Sequence, residues 1–425
     1  MTRNMQLLLG QDAISHFKAG GRGGRLTIRA SAAQDVGAVV AVSDSTGVTR
    51  PCPILPKTHF LKSCDVGPAG LWYRTTPELH LLWLAVAARL KTLRREAFAA
   101  GLERPLPTVA GAFFVVTYAP DCSDEVPDVL AWCVTPDGVQ LIDFEVEPPP
   151  GFCGLAALAP GWPVEAVQRA RLLLVGAGSI GSAVADALAL YGIGHLVLVD
   201  PDRLRWHNLV RHRARPSDVG KYKVVALRDD LAVTRPATEV KPLTWNVVTD
   251  ADRVRALLND IDVVVCCADG VAPRRVVSHL ARRARKPAVL SCVLEDGAVG
   301  EVMRLQPWTD HGCLNCRREA LQECGGIDPE PALDARYGTG STHRPMTAVG
   351  GDLHLVGQLT ASIAVSTVLA RAGSSGHRLP GEHLAVGLRT TGELAAPFDF
   401  DRSLDMRWSP ATAPRAGCPT CKPDD

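Results

Sequence analysis

The sequence predicts an α/β protein: a doubly wound, mostly parallel sheet with a cysteine-rich C-terminal region, preceded by a smaller α+β domain. Three observations predict it. From about Leu155 onward, apolar strand-like runs alternate with helix-like runs, the pattern of a parallel sheet covered by helices. One of those strands, Arg171–Val175, leads directly into Gly176-Ala177-Gly178-Ser179-Ile180-Gly181 and a helix. Before Pro148-Pro149-Pro150-Gly151 the pattern differs, with short strands around one long helix. That proline run sets the expected boundary, giving domains at residues 1–150 and 151–425.

A chain of 425 residues exceeds one ordinary core and suits two or three domains. With 46% hydrophobic and 21% charged residues it reads as globular rather than disordered. A formal net charge of +1 argues against bulk nucleic acid or an anionic membrane as partner. The long apolar stretch at residues 172–200 is interrupted by glycines and Asp186, so it does not read as a membrane span. The N-terminus lacks an export pattern, which predicts a reducing, cytoplasmic setting. There the 13 cysteines are thiols and metal ligands rather than a disulfide framework.

In the first domain, residues 25–30 and 37–43 read as strands bounded by glycines. Thr76-Pro77-Glu78 is a helix start: threonine cap, proline at the first helical position, acid in the first turn. Leu82, Val86, Leu90 and Leu93 follow at helical spacing and predict a buried face reaching about Ala99. Residues 113–118, 129–134 and 139–146 read as three strands, the last two joined as a hairpin across Thr135-Pro136-Asp137-Gly138.

In the second domain the glycine run lies in a telling context. The strand ends, glycines permit a tight turn, a helix spans residues 182–191, and a second strand, His195–Val199, closes on Asp200. This is a Rossmann-like nucleotide fingerprint: backbone approaches phosphate, a helix N-terminus faces it, and a carboxylate meets ribose. On the loop alone a nicotinamide dinucleotide would be the default ligand. The arginine-rich stretch 274–286 reads as a solvated helix face. Cys313-Leu314-Asn315-Cys316 and Cys418-Pro419-Thr420-Cys421 are two turns that together supply four thiolates, the set a structural Zn²⁺ takes. Redox activity is the rival for either pair, but neither lies in a thioredoxin-like context. His311 beside the first pair reads as a bystander. Cys266, Cys267 and Cys292 read as core residues.

Beyond Asp200 the chain runs Pro201-Asp202-Arg203-Leu204-Arg205-Trp206-His207-Asn208-Leu209-Val210-Arg211, then Gly220-Lys221-Tyr222-Lys223, then an apolar strand ending at Asp269. Taken together, these residues resemble the ThiF/MoeB branch of the ubiquitin-activating superfamily over roughly residues 165–421. The resemblance implies an ATP-dependent adenylyltransferase, with ATP rather than a dinucleotide at Gly176, Gly178 and Gly181. It implies that Asp200 binds the ribose, that Asp202 belongs to the cofactor site, that Asn208, Arg211 and Lys223 contact the phosphates, and that Asp269 holds Mg²⁺. The separation of the two cysteine pairs also resembles the branch, and the resulting zinc site is Cys313, Cys316, Cys418 and Cys421. The family's N-terminal arginine helix has no match before Arg171, where Tyr73-Arg74 shares only two letters with it.

The resemblance also implies a crossover loop, here residues 317–344, that can carry a thioester cysteine. Its one cysteine is Cys324. The implied partner is a small ubiquitin-like β-grasp protein whose C-terminal carboxylate is adenylated, with a conjugating-enzyme partner and a homodimer as family habits. The 1–150 region would serve dimerisation or recruitment. Two alternatives stand beside this: a peptide-modifying adenylating enzyme of a biosynthetic pathway, and a non-catalytic scaffold of the same fold.

Overall fold

A computed structural model describes the chain except residues 1–5, 20, 32, 34, 56–58, 65–69, 109–110, 125, 148–154, 326–347, 375 and 422–425. The proline run at 148–151 and most of the expected crossover loop lie outside the described residues. The chain divides into two compact units, Met1–Phe152 and Cys153–Asp425.

The first unit runs β1 (Gln6–Gly10), α1 (Gln11–Ala19), β2 (Gly23–Ala30), β3 (Val36–Ser43), β4 (Thr49–Pro51), β5 (Gly70–Arg74), α2 (Pro77–Leu90), α3 (Arg95–Ala99), β6 (Phe113–Tyr118), β7 (Val129–Thr135) and β8 (Gly138–Glu147). Its sheet is ordered β1-β8-β7-β6-β5-β2-β3-β4, and β1 also pairs with β3, so the sheet closes on itself. The hairpin is as expected: Thr135 faces Gly138 across the Pro136-Asp137 turn. One cluster packs Phe17 of α1 and Trp72 with strand residues such as Leu7, Ile28 and Val116. A second cluster packs Trp83 and Phe98 with Trp132 and Phe113.

The expected helix reaching Ala99 is instead two helices. The first stops at Leu90, where Lys91 takes a left-handed backbone (φ 59°), and a separate short helix follows. Its inward face also differs, since Leu82 is 56% and Leu90 69% exposed. Larger groups decide the rotation. Trp83 packs against Phe98 and Trp132, while His80 bonds to the Pro127 carbonyl and Thr117 Oγ1, both at 2.9 Å. Aromatic area and a satisfied buried imidazole outweigh two leucines.

The second unit continues with α4 (Val164–Arg169), β9 (Arg171–Val175), α5 (Ser179–Leu190), β10 (His195–Val199), α6 (Lys223–Thr234), β11 (Glu239–Leu243), α7 (Ala251–Leu257), β12 (Val263–Cys266), α8 (Val271–Arg283), β13 (Ala288–Leu294), β14 (Val299–Leu305), α9 (Leu314–Glu323), α10 (Gly350–Arg371), β15 (His383–Gly387) and β16 (Met406–Ser409). The sheet order is β11-β10-β9-β12-β13-β14-β15-β16, parallel from β11 to β13 and antiparallel beyond. The α/β architecture with a parallel sheet expected from the sequence is therefore present.

Side chains alternate along each strand, so neighbours serve opposite faces. Leu172 and Leu174 pack with α5, α6 and α10, while Leu173 and Val175 pack with α7, α8 and Leu314. α10 is long and apolar enough to cross a membrane, yet 67% of its apolar window is buried within the protein, where it packs on α5 and the sheet. The strand order reverses at β9, where crossovers leave to both sides. A crevice at the C-terminal ends of the strands belongs there, and the glycine run occupies it.

Candidate functional site

The chain leaves β9 through Gly176, whose φ of +91° suits glycine. A Cβ on Gly176 would lie 2.5 Å from the Ala268 nitrogen, and one on Gly181 would lie 1.9 Å from the Gly176 oxygen. Both glycines are therefore required by close backbone packing. Gly178 differs: nothing lies within 4 Å of its Cβ position, so this side of the loop is open. Helix α5 begins at Ser179, three residues before the expected start, which places Gly181 in its first turn. The N–H groups of that turn have no carbonyl a turn earlier in the helix and are suited to an anion.

Asp200 braces this loop. Its Oδ2 accepts the Ala177 N–H at 2.7 Å and its Oδ1 accepts the Asp202 N–H at 2.8 Å. Burial pushes its carboxyl up from the usual range, and Lys223 only partly offsets this. The sequence suggested a ribose ligand; both oxygens also hold backbone, so any sugar contact uses the remaining lone pairs. Lys223 opens α6, with its Nζ 2.8 Å from Asp202 Oδ2. Burial lowers the Lys223 ammonium pKa, but Asp200 and Asp202, with a smaller part from Asp269, outweigh it and keep the charge. Asp269 is exposed just beyond β12. Thus β10, α6 and the end of β12 bring three carboxylates and one cation together.

The arm carrying Asn208 and Arg211 follows. Asn208 Oδ1 accepts the Arg205 N–H at 2.9 Å, so it is the Nδ2 group that can donate to a ligand. The Arg211 carbonyl accepts from His354 Nε2 of α10 at 2.9 Å. Arg213 continues the arm onto α5, pairing with buried Asp186 at 3.1 Å.

The four cysteines of the two pairs converge, all sulfurs lying within 4.8 Å of one another. Cys313 Sγ is 3.6 Å from Cys418 Sγ and 3.9 Å from Cys316 Sγ, and Cys316 Sγ is 3.9 Å from Cys421 Sγ. A tetrahedral zinc with Zn–S bonds of about 2.3 Å sets sulfur–sulfur edges of about 3.8 Å. The donor set therefore fits that ion. Backbone N–H groups of Cys313 and Arg415 point at Cys421 and Cys316 sulfurs, the direction that compensates thiolate charge. His311 is not in the cluster; it bonds to Asp310.

A family model described as the ThiF family matches residues 157–376, more than half of the chain. The chain belongs to the ThiF family. It is 30% identical over 173 residues to ubiquitin-like modifier-activating enzyme 5 of Caenorhabditis elegans, covering 39% of this chain and 41% of that protein. It is 34% identical over 126 residues to the molybdopterin-synthase adenylyltransferase of Escherichia coli K12, covering 29% and 50% respectively. The chain thus spans half or less of the length of these two relatives. Among solved structures it is similar to E. coli MccB with ATP, at 19% identity and a TM-score of 0.45, over 61% of this chain and 68% of that one.

Several residues of this ThiF-family chain were not flagged in the sequence. Arg317–Glu323 is not part of a loop: the first cysteine pair forms the opening turn of α9, which runs to Glu323 and leaves Cys324 exposed at its end. The 274–286 stretch is not simply solvated either. Arg274 is buried, bonded to the Gly270 carbonyl at 3.0 Å and to Cys292 Sγ at 3.1 Å. Arg282 caps the Gln306 and Trp308 carbonyls. Cys292 is only half-buried, and its sulfur lies against Arg274 and Glu301 rather than in an apolar core. Glu301 is fully buried between Arg318 and His383. Burial alone would raise its carboxyl, but these partners hold it well below the usual range. Its one signal was a lone acid inside the apolar β14 run.

His212, directly after Arg211, carries no motif signal in the sequence. Buried, it bonds through Nε2 to the Ala177 carbonyl at 2.8 Å, and its Nδ1 accepts the Ala214 N–H at 3.0 Å. Burial pushes its pKa down from 6.5 to about 4. The unfolded chain therefore takes this proton first as pH falls. The stabilisation is full above about 6.5, declines as pH drops, and is lost below about 4, amounting to ~3 kcal/mol. We expect the thermal midpoint to fall more steeply between pH 6.5 and 4.5 in the wild type than in His212→Gln, measured by calorimetry of both. Parallel curves would contradict this.

Proposed function

We propose that the chain is an ATP-dependent adenylyltransferase acting on the C-terminal carboxylate of a ubiquitin-like protein. The observation that carries this is the charge cluster beside the open side of Gly178, in which Lys223 is held by Asp202 and electrostatically coupled to Asp200 and Asp269. A hydride-transfer site has no need of a half-buried lysine among three carboxylates at a phosphate loop, whereas displacement of pyrophosphate does.

In this reading the glycine loop receives the phosphates and Asp200 meets the ribose. A carboxylate oxygen of the partner attacks the α-phosphorus, the bond to the bridging oxygen breaks, and pyrophosphate leaves. Asn208, Arg211 and Lys223 stabilise the charge that develops on it. Asp269 offers a hard oxygen ligand for Mg²⁺, which supplies further charge neutralisation when bound. Cys313, Cys316, Cys418 and Cys421 would hold a Zn²⁺ of structural rather than catalytic type, since four protein thiolates leave no open position. The first unit serves dimerisation or recruitment, the enzyme acts as a homodimer in the cytoplasm, and the acyl group passes on to a conjugating-enzyme partner or directly to an external acceptor.

The test is ATP–pyrophosphate exchange with a small protein encoded beside this chain. Partner-dependent exchange is expected; its absence with an intact, Mg²⁺·ATP-binding chain would overturn the assignment. A second step follows in the same reading: the Cys324 thiol attacks the acyl carbon, a thioester forms and AMP leaves. An adduct cleaved by free thiol is expected in the wild type and lost in Cys324→Ala. An adduct that survives the substitution would place the nucleophile elsewhere.

A further inference from the structure

A phosphate loop works only if its N–H groups, not its carbonyls, face the ligand. A trans peptide is planar, so fixing its carbonyl in one direction fixes the following N–H in the opposite one. In this chain both peptides flanking Ala177 are held. Asp200 takes the Ala177 N–H on one side, and His212 Nε2–H binds the Ala177 carbonyl on the other. Because Nδ1 of His212 accepts the Ala214 N–H, the ring is fixed as the Nε2–H tautomer, the form able to donate to a carbonyl.

We propose that His212 is a positioning residue for the phosphate loop, holding the Ala177 carbonyl back so that the Gly178 N–H points to the loop's open side. The proposal rests on the nucleotide reading above and adds a residue to it. Gly178 is where a flip would matter, because it caps α5 and its open side has nothing within 4 Å of its Cβ position. With the carbonyl released, the peptide can rotate and present an oxygen to the phosphates instead. The same ring ties the loop to the cation arm. His212 follows Arg211 in the chain, the Arg213 N–H reaches Ser182 Oγ at 3.4 Å, and the Arg213 side chain pairs with Asp186 on α5. His354 holds the Arg211 carbonyl from α10. Loop and arm are thus one clipped assembly, with His212 as the clip that touches the loop's own peptide.

Two substitutions separate this role from general support. His212→Gln keeps an N–H at the reach of Nε2. His212→Asn keeps an acceptor where Nδ1 sits but no group that reaches Ala177. The intact chain is titrated calorimetrically with ATP in Mg²⁺ buffer and with adenosine. We expect His212→Gln to bind ATP within about threefold of wild type, and His212→Asn to lose about tenfold or more, with adenosine binding unchanged in both. Should His212→Asn fail to fold, His212→Ala replaces it. The inference is overturned if both variants bind ATP alike, or if His212→Asn loses ATP and adenosine in equal proportion. A wild-type chain that binds neither ligand overturns the nucleotide reading itself.

Discussion

Lys223→Ala is expected to lower partner-dependent ATP–pyrophosphate exchange by about 10²–10³-fold, the scale seen when one preorganised charge is removed from a developing anion. Lys223 is the only lysine that the described residues bring to Asp200, Asp202 and Asp269 together. It is positioned twice over. Its own N–H donates to the Asp202 carbonyl at 2.9 Å, and its ammonium pairs with the Asp202 carboxylate at 2.8 Å. Asp202 is 62% exposed, so that pair by itself adds little to stability. The larger consequence falls on Asp200. Without the neighbouring cation, this buried carboxylate faces its desolvation with only two backbone N–H groups, and its carboxyl rises further. A stability loss on the order of 2 kcal/mol is expected, smaller than for breaking a fully buried pair. Lys223→Arg should recover stability more than activity, because a planar guanidinium cannot place a point charge in the same spot. Exchange assays and thermal melts of the two variants check both halves.

Cys418→Ser is expected to reduce bound zinc from about one ion per chain to near none, as read by elemental analysis, and to lower the melting midpoint sharply. In small zinc domains the metal contributes on the order of 10 kcal/mol. Here the loss should be smaller, since most of the second unit has its own core. The damage should still spread beyond the knuckle. Ser278 of α8 accepts the Leu314 N–H at 3.1 Å, and His279 of α8 bonds to Thr420 between the last two cysteines at 3.2 Å. The same helix begins directly after Asp269-Gly270. Slow hydrogen exchange along α8 should therefore become faster in Cys418→Ser and in chelator-treated wild type. A variant purified free of zinc but with unchanged melting and exchange would remove the structural role.

Much of the second unit was legible because local and global signals agree there. The strand, tight turn, helix, strand and acid from Arg171 to Asp200 each serve their element's own propensity as well as the site. The convergence of Cys313, Cys316, Cys418 and Cys421 was legible from bite and residue type, though about a hundred residues separate the pairs. Long-range packing choices were not. Leu82 and Leu90 satisfy a helical period, but the choice of face belongs to Trp83 and His80, whose partners arrive from other strands. Arg274 looks like one of many surface arginines until the Gly270 carbonyl and Cys292 are brought to it. His212 carries no pattern at all, because its partner lies 35 residues upstream on a loop read only for its glycines.

The closure of the first unit's sheet has a consequence for how proteins can meet it. A strand ladder that ends in open air invites a visitor's strand to continue it, which is the simplest way for two β-rich proteins to recognise each other. Among the described residues, every strand of the ring β1-β8-β7-β6-β5-β2-β3 already has a neighbour on both sides, and only the three-residue β4 stands outside it. Backbone-to-backbone zipping is thereby largely foreclosed, as is uncontrolled polymerisation through the same edges. Whatever this unit recognises must be read by side chains and loops, which makes its selectivity open to change one residue at a time.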